Sequence, residues 1–324
     1  MADPVEGWRT IRIRSWLDLR QRLSGFDRSW IFRGERRASW TLSTSLQRTE
    51  TTNPVVDERD LLLLFQRGAP VHLSSHMVPD AGDVFGWLGL MQHYGAPTRL
   101  SDWTRSPYVA SFFALEKTNV ETRPDKAQPH AIWALDLEWT QRRAIELLPA
   151  ILRELPTILP ELTSQQAVTS RQADLVTRLV LTDLRFTGAV VVEPWRLDAR
   201  QAAQQSLFVC PGNVEHSLDD NLRSMITGHE SRPVVVKFEL EDNERPIALA
   251  DLASMNVTAA NLFPGLDGFA RSLRTKLARE HPALGGLRAA IMRDPWEPER
   301  QITLEVNKPA EPSDRPPDGS RPLS

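Results

Sequence analysis

The chain has 324 residues, of which 41% are hydrophobic and 25% charged, with a net charge of −3. That length suffices for one large domain or two ordinary ones, and the near-neutral balance gives no global attraction to nucleic acid or to a membrane surface. A single cysteine, Cys210, excludes an intramolecular disulfide and a cysteine-built zinc site.

The opening MADPVEGWRT carries no apolar signal core. No apolar run approaches the ~20 residues that cross a bilayer. A cytoplasmic protein with no membrane partner is therefore expected. Of the 39 basic residues only five are Lys, so 34 are Arg. Genome base composition explains that bias simply; a need for bidentate phosphate or carboxylate contacts is the sharper explanation. The first 48 residues hold ten Arg against five acids, a local balance of +5.

In chain order, SWLDLRQRL (15–23) predicts a helix with Ser15 as N-cap, and residues 1–27 read as a basic helical segment. WIFRG (30–34) is a short strand closed by Gly34. PVVDERDLLLLFQRGAP (54–70) is a helix capped by Asn53, with Pro54 at its first position. Residues 83–94 form a helix stopped by Gly95 and Pro97. TRLSDW (98–103) is a short strand or extended segment, and SPYVASFFALEK (106–117) a helix capped by Ser106. AIWALDLE (131–138) and GAVVVEP (188–194) read as buried strands, with a mostly helical insertion, 139–186, between them. A helical turn at 197–205 leads into the strand SLFVC (206–210). Another strand spans 232–240, and helices follow around 247–255 and 267–280. The tail 309–324 is rich in proline and poor in large apolar side chains, the composition of disorder. Helices and strands mix without βαβ alternation, which argues an α+β fold with largely antiparallel pairing.

No dinucleotide-binding glycine fingerprint, P-loop, zinc-protease motif or hydrolase elbow occurs. His72 and His76 sit four apart, but in a loop-like stretch, so no metal is expected. Three polar pieces abut apolar elements instead: IFRGERR, the block from His93 to Thr104, and the paired Gln204 and Gln205. Buried without partners, each polar group there costs several kcal/mol, so the crowding marks the lining of a cleft. Simpler roles stay open. Arg33 can be a structural cation paired with Asp102, His93 a helix C-cap, Trp103 core, the two Gln helix surface, and Arg36 with Arg37 a solvated turn.

FRG at 32–34, QHYGAPTRLSDWTRSPYVASFFA (92–114), QQSLF (204–208) and LFPGLDGFARSLR (262–274) together resemble the FRG domain family. The resemblance covers about residues 28–280, and the domain is placed at 28–308. Ser101 stands where the family usually has a second Leu, and Ser206 where it usually has Gly. The family resembles the ADP-ribosyltransferase superfamily in the logic of its motifs. That implies an ADP-ribosyltransferase-like split mixed or antiparallel β-sheet core with surrounding helices. It also implies NAD as substrate, no metal, and ADP-ribosyl transfer to a macromolecule, nucleic acid favoured over protein. A toxin–antitoxin or phage-defence setting, with an antitoxin or regulatory partner, belongs to the same implication.

Carried over by position, Arg33 with Gly34 would grip a phosphate or ribose, and Thr98 to Thr104, Arg99 included, would shape the nicotinamide pocket. Gln205 would orient the ribose. Asp102 is the acid that could steady an oxocarbenium-like ribose, and His93 an acid or base near neutral pH. Tyr94 or Trp103 could stack on a ring of NAD. The alternatives from other classes are a non-catalytic nucleotide- or nucleic-acid-binding module, and a nuclease using His93 and Asp102.

Overall fold

The computed structural model describes residues 7–49, 51–117, 128–147, 165–181, 185–194 and 197–279. Seven strands form one sheet: β1 (Trp8–Ile13), β2 (Trp30–Glu35), β3 (Ser101–Thr104), β4 (His130–Asp136), β5 (Ala189–Val192), β6 (Ser206–Pro211) and β7 (Val235–Leu240). Their order across it is β1-β7-β4-β2-β3-β6-β5. Only β1 and β7 run parallel; the other neighbours are antiparallel. The fold is α+β, with helices on both faces.

Side-chain alternation sorts the strands between two cores. Ile31, Trp133 and Leu135 point into one apolar cluster, and Phe32, Ile132 and Ala134 into the other. Every residue of β4 is buried, as expected of a central strand covered on both sides. The helices are α1 (Trp16–Leu23), α2 (Pro54–Gly68), α3 (Val84–His93), α4 (Pro107–Leu115), α5 (Leu137–Leu147), α6 (Gln165–Leu181), α7 (Ala199–Gln204), α8 (Leu218–Ser224), α9 (Arg245–Ser254), α10 (Ala259–Leu262) and α11 (Leu266–Arg279). The capping residues read from the sequence act as such. Ser15, Asn53 and Ser106 side chains accept from the backbone N–H three residues on.

Strand β1 lies where the sequence suggested only a basic helical segment. Trp8 and Ile13 are buried while Arg9, Thr10 and Arg12 face outward, a pattern without strict alternation. The segment is tied into the fold: Trp16 Nε1 donates to Asp251 at 2.7 Å. Helices α8 and α10 are likewise additions to the sequence reading. Of the 139–186 insertion, α5 and α6 are described, and α6 buries Leu175, Val176, Leu179 and Val180 in the core. Residues 148–164 and 182–184 of the insertion and the 309–324 tail lie outside the described residues.

One junction decides where the site falls. Strands β2 and β3 pair through a single residue pair, Phe32 with Thr104, whereas β2 pairs with β4 along its whole length. Past Phe32 the β3-facing edge of β2 has no strand partner, and the sheet opens there. The sheet is thus one ladder pinched to a single pair between its halves.

Among the described residues no helix is long and apolar enough to cross a membrane.

Candidate functional site

The opening between β2 and β3 continues into a cleft of about 560 Å³, within the usual size of small-molecule sites. Arg33 and Glu35 are two apart on β2 and share a face. Arg33 Nε meets Glu35 Oε1 at 2.8 Å, and Arg33 Nη1 donates to the backbone carbonyl of Asp102 on β3 at 2.7 Å. The guanidinium therefore spans the mouth of the split, and its carboxylate partner is Glu35 rather than Asp102. Both side chains are largely buried, at 15% and 10% exposure, yet both line the cleft.

Gly34, which lines the cleft, also has a packing task. A Cβ there would lie 1.9 Å from the carbonyl oxygen of Ala110 and 2.6 Å from the backbone N of Ala114. Helix α4 is pressed against β2 at Gly34, with small residues at both touching positions. Arg33 and Glu35 are held rigidly because the strand between them has a helix at its back.

The crowded block from Gln92 to Thr104 is satisfied mostly from within. Gln92 ties two of its members together: Thr98 Oγ1 donates to Gln92 Oε1 at 2.5 Å, and Gln92 Nε2 donates to the Asp102 carboxylate at 2.7 Å. Arg99 is 2% exposed and forms a bidentate ion pair with the buried Glu58 from α2, with a further bond to the carbonyl of Leu179. Burial alone would lower the Arg99 guanidinium's pKa; the charge and hydrogen bonds of Glu58, with Cys210 beside it, together outweigh burial and hold it above its ordinary value. Thr98 and Arg99 thus anchor β3 from behind, and neither lines the cleft.

Trp103 is 2% exposed, in the core, with its indole N–H on Ser101 Oγ at 3.2 Å, although the residue borders the cleft. Thr104 donates to the carbonyl of Gln204 at 2.7 Å. His93 ends α3 and pairs with Asp198 at 3.0 Å, and Tyr94, 56% exposed, packs against its ring. Neither lines the cleft. The structure brings Arg33, Gly34, Asp102, Trp103 and Thr104 to one place and leaves His93, Tyr94, Thr98 and Arg99 elsewhere.

Of the paired glutamines, Gln204 lines the cleft. It is buried and donates to the carbonyl of Leu262 at 2.9 Å. Gln205 is exposed and adopts φ 48° to close α7, a left-handed cap that any residue but Gly takes at some cost.

Several cleft residues escaped the sequence reading. Glu35 is foremost: a carboxylate one residue past the FRG tripeptide, at a strand position that alternation assigns to the Arg33 side. Trp40, 41% exposed, stands with Arg36 and Arg37 at 5.3 and 5.6 Å from its ring centroid. On the helical wall, Phe263 lies between Arg271 at 3.7 Å and Arg200 at 4.8 Å. Five lining cations face three lining acids, which biases the cleft toward an anion. Arg48 sits close enough to feel the same cluster. Partial burial and the Arg33 charge pull its guanidinium below its ordinary value, with Glu35 and Asp102 opposing.

A second cavity, about 470 Å³, lies between α5 and the 227–234 loop. Its charges are used internally, as in Arg232–Asp136 at 2.8 Å, and it holds none of the motif residues. Among the described residues no three His, Cys, Asp or Glu side chains cluster so as to hold a metal ion.

These features define an α+β protein with a cationic, aromatic-lined cleft at a pinched sheet junction. Residues 28–123 match the family model of the FRG domain. The chain therefore carries an FRG domain, whose matched segment supplies β2, the Gln92–Thr104 block and α4. Gln204 and Phe263, which complete the cleft, lie beyond it. No curated protein and no solved structure matched the chain.

Proposed function

We propose that the cleft binds NAD and transfers its ADP-ribose to a macromolecular acceptor, nucleic acid in preference to protein. The observation that carries this reading is the single-pair junction of β2 and β3. It opens the sheet beside a buried carboxylate, Glu35, and a bridging cation, Arg33. Arg33 keeps Nη2 without a protein partner among the described residues, and Arg36 lines the same wall, so two guanidiniums can meet a pyrophosphate. Trp40, 41% exposed and lining the cleft, offers a ring for stacking on a base or on nicotinamide.

In the reaction, the bond between ribose C1 and the nicotinamide nitrogen breaks, and its electron pair leaves with neutral nicotinamide. A lone pair on an acceptor oxygen or nitrogen bonds to C1, and the acceptor's proton is released. Positive charge accumulates on the ribose at the transition state, and a fixed carboxylate in a water-poor cleft stabilises it. Glu35, which is buried, meets that need better than Asp102, which is exposed. Gln204 and Gln205 carry no charge and can only orient.

Incubation of the purified full chain with NAD labelled in its adenylate phosphate, in a cell lysate, tests the reading. The products are digested with protease, RNase or DNase. Label released by a nuclease and absent from Arg33→Ala supports it. Absence of both label transfer and NAD consumption sinks it in favour of a binding module.

A further inference from the structure

The cleft has more cationic side chains than one pyrophosphate contacts, and they fall into two groups. Arg33 and Arg36 come from β2 and the residues after it. Lys117, two residues past α4, Arg200 on α7 and Arg271 on α11 line the cleft's helical wall. Arg271 is partly neutralised by a bidentate pair with Glu116 at 2.9 Å. Lys117 and Arg200 have no carboxylate partner among the described residues. The Phe263 ring is stacked by Arg200 and Arg271 and fixed edge-on by Phe113 at 5.9 Å, which orders both guanidiniums before any ligand arrives.

Arg200, unpaired and held on Phe263, the exposed Lys117 and the Glu116-shared Arg271 offer separated single charges rather than one compact anion pocket. We infer that Lys117, Arg200 and Arg271 form a phosphodiester subsite that takes the backbone of single-stranded nucleic acid. A cleft of about 560 Å³ admits a splayed nucleotide but not a base-paired helix. The strand's role as acceptor rests on the transfer reading above; its binding to this wall does not.

The test is fluorescence anisotropy of a labelled 12-nucleotide single strand and of the matching duplex with the full chain, as wild type and as Lys117→Ala/Arg200→Ala. NAD affinity is measured in parallel by calorimetry, and circular dichroism checks the fold. The double variant is expected to bind the single strand at least tenfold more weakly. Its slope of log affinity against log salt should be shallower by about 1.4, at roughly 0.7 per lost phosphate contact. NAD affinity should stay within twofold, and the charge-conserving Lys117→Arg/Arg200→Lys should retain strand binding. Unchanged strand affinity and slope overturn the proposal. A parallel fall in NAD affinity also overturns it, by assigning these cations to the NAD pyrophosphate, and so does a duplex bound as tightly as the single strand. If wild type ignores NAD but binds the strand and responds to the variant, the subsite stands and the transferase reading falls.

Discussion

Replacing Gly34 with Ala adds one methyl group at the most constrained point of the β2–α4 contact. The new Cβ would sit 1.9 Å from the Ala110 carbonyl oxygen, against the 3.4 Å of an ordinary contact, so α4 must retreat by about 1.5 Å. The clashing atoms are helix backbone and cannot rotate away. The opposite side of α4 gives no slack, because Val109, Phe112 and Leu115 are buried to 4% exposure or less in the same core. Overpacking typically costs about 1–3 kcal/mol, and rigid backbone places this case at about 3 kcal/mol or above. For a domain of this size that lowers Tm by roughly 6–12 °C. Differential scanning calorimetry with urea denaturation at fixed temperature measures it. A Gly34→Ala protein melting within 2 °C of wild type would refute the packing argument. If it had also lost ligand binding, the glycine would be serving ligand approach instead.

Other expectations follow from the same geometry. Arg99→Met leaves Glu58 buried without its cation and should cost about 3–5 kcal/mol in urea titration, with Arg99→Met/Glu58→Met recovering much of it; equal loss in both would show that the pair is not the cause. Burial pushes the Cys210 thiol up to about 12 from an ordinary 9.0. The unfolded thiol ionises first, so its stability contribution is complete below pH 9 and falls as pH rises toward 12. Native protein should therefore react with thiol reagents only as fast as it unfolds, and rapid labelling at pH 8 would contradict this. Glu35→Gln should keep NAD affinity within a few fold while slowing transfer by about 10²–10³, the usual worth of one transition-state charge contact; full activity would remove Glu35 from the chemistry. Trp40→Ala should weaken NAD binding by about tenfold, measured by calorimetry, if the ring stacks on the nucleotide.

Much of the secondary structure was legible because its signals are local. Ser15, Asn53 and Ser106 before apolar runs, with proline at the first helical position of two of them, mark helix starts wherever they fold. The apolar runs AIWAL of β4 and AVVV of β5 could only be buried. Strand β1 was not legible, because Arg9, Thr10 and Arg12 read as polar chain until β7 is placed beside them. The cleft was half legible. Arg33 and Asp102–Thr104 stood out as polar groups against apolar elements, and that cost argument was sound. It could not say who pays off the burial. For Arg99 the answer is Glu58, 41 positions away, and for Thr98 it is Gln92.

By itself, then, the chain determined most of its elements, its caps and the FRG tripeptide with the block that follows it, since each of these depends on neighbours within a few residues. Tertiary structure decided which polar residues face the cleft. It turned Arg99 inward to a helix 41 residues distant, and chose Gln204 over Gln205 through one left-handed cap. It also set Glu35 beside Arg33 at the place where β2 and β3 part. The physical reason is that a polar group's role is set by which partner satisfies it, and long-range partners exist only once the sheet has formed.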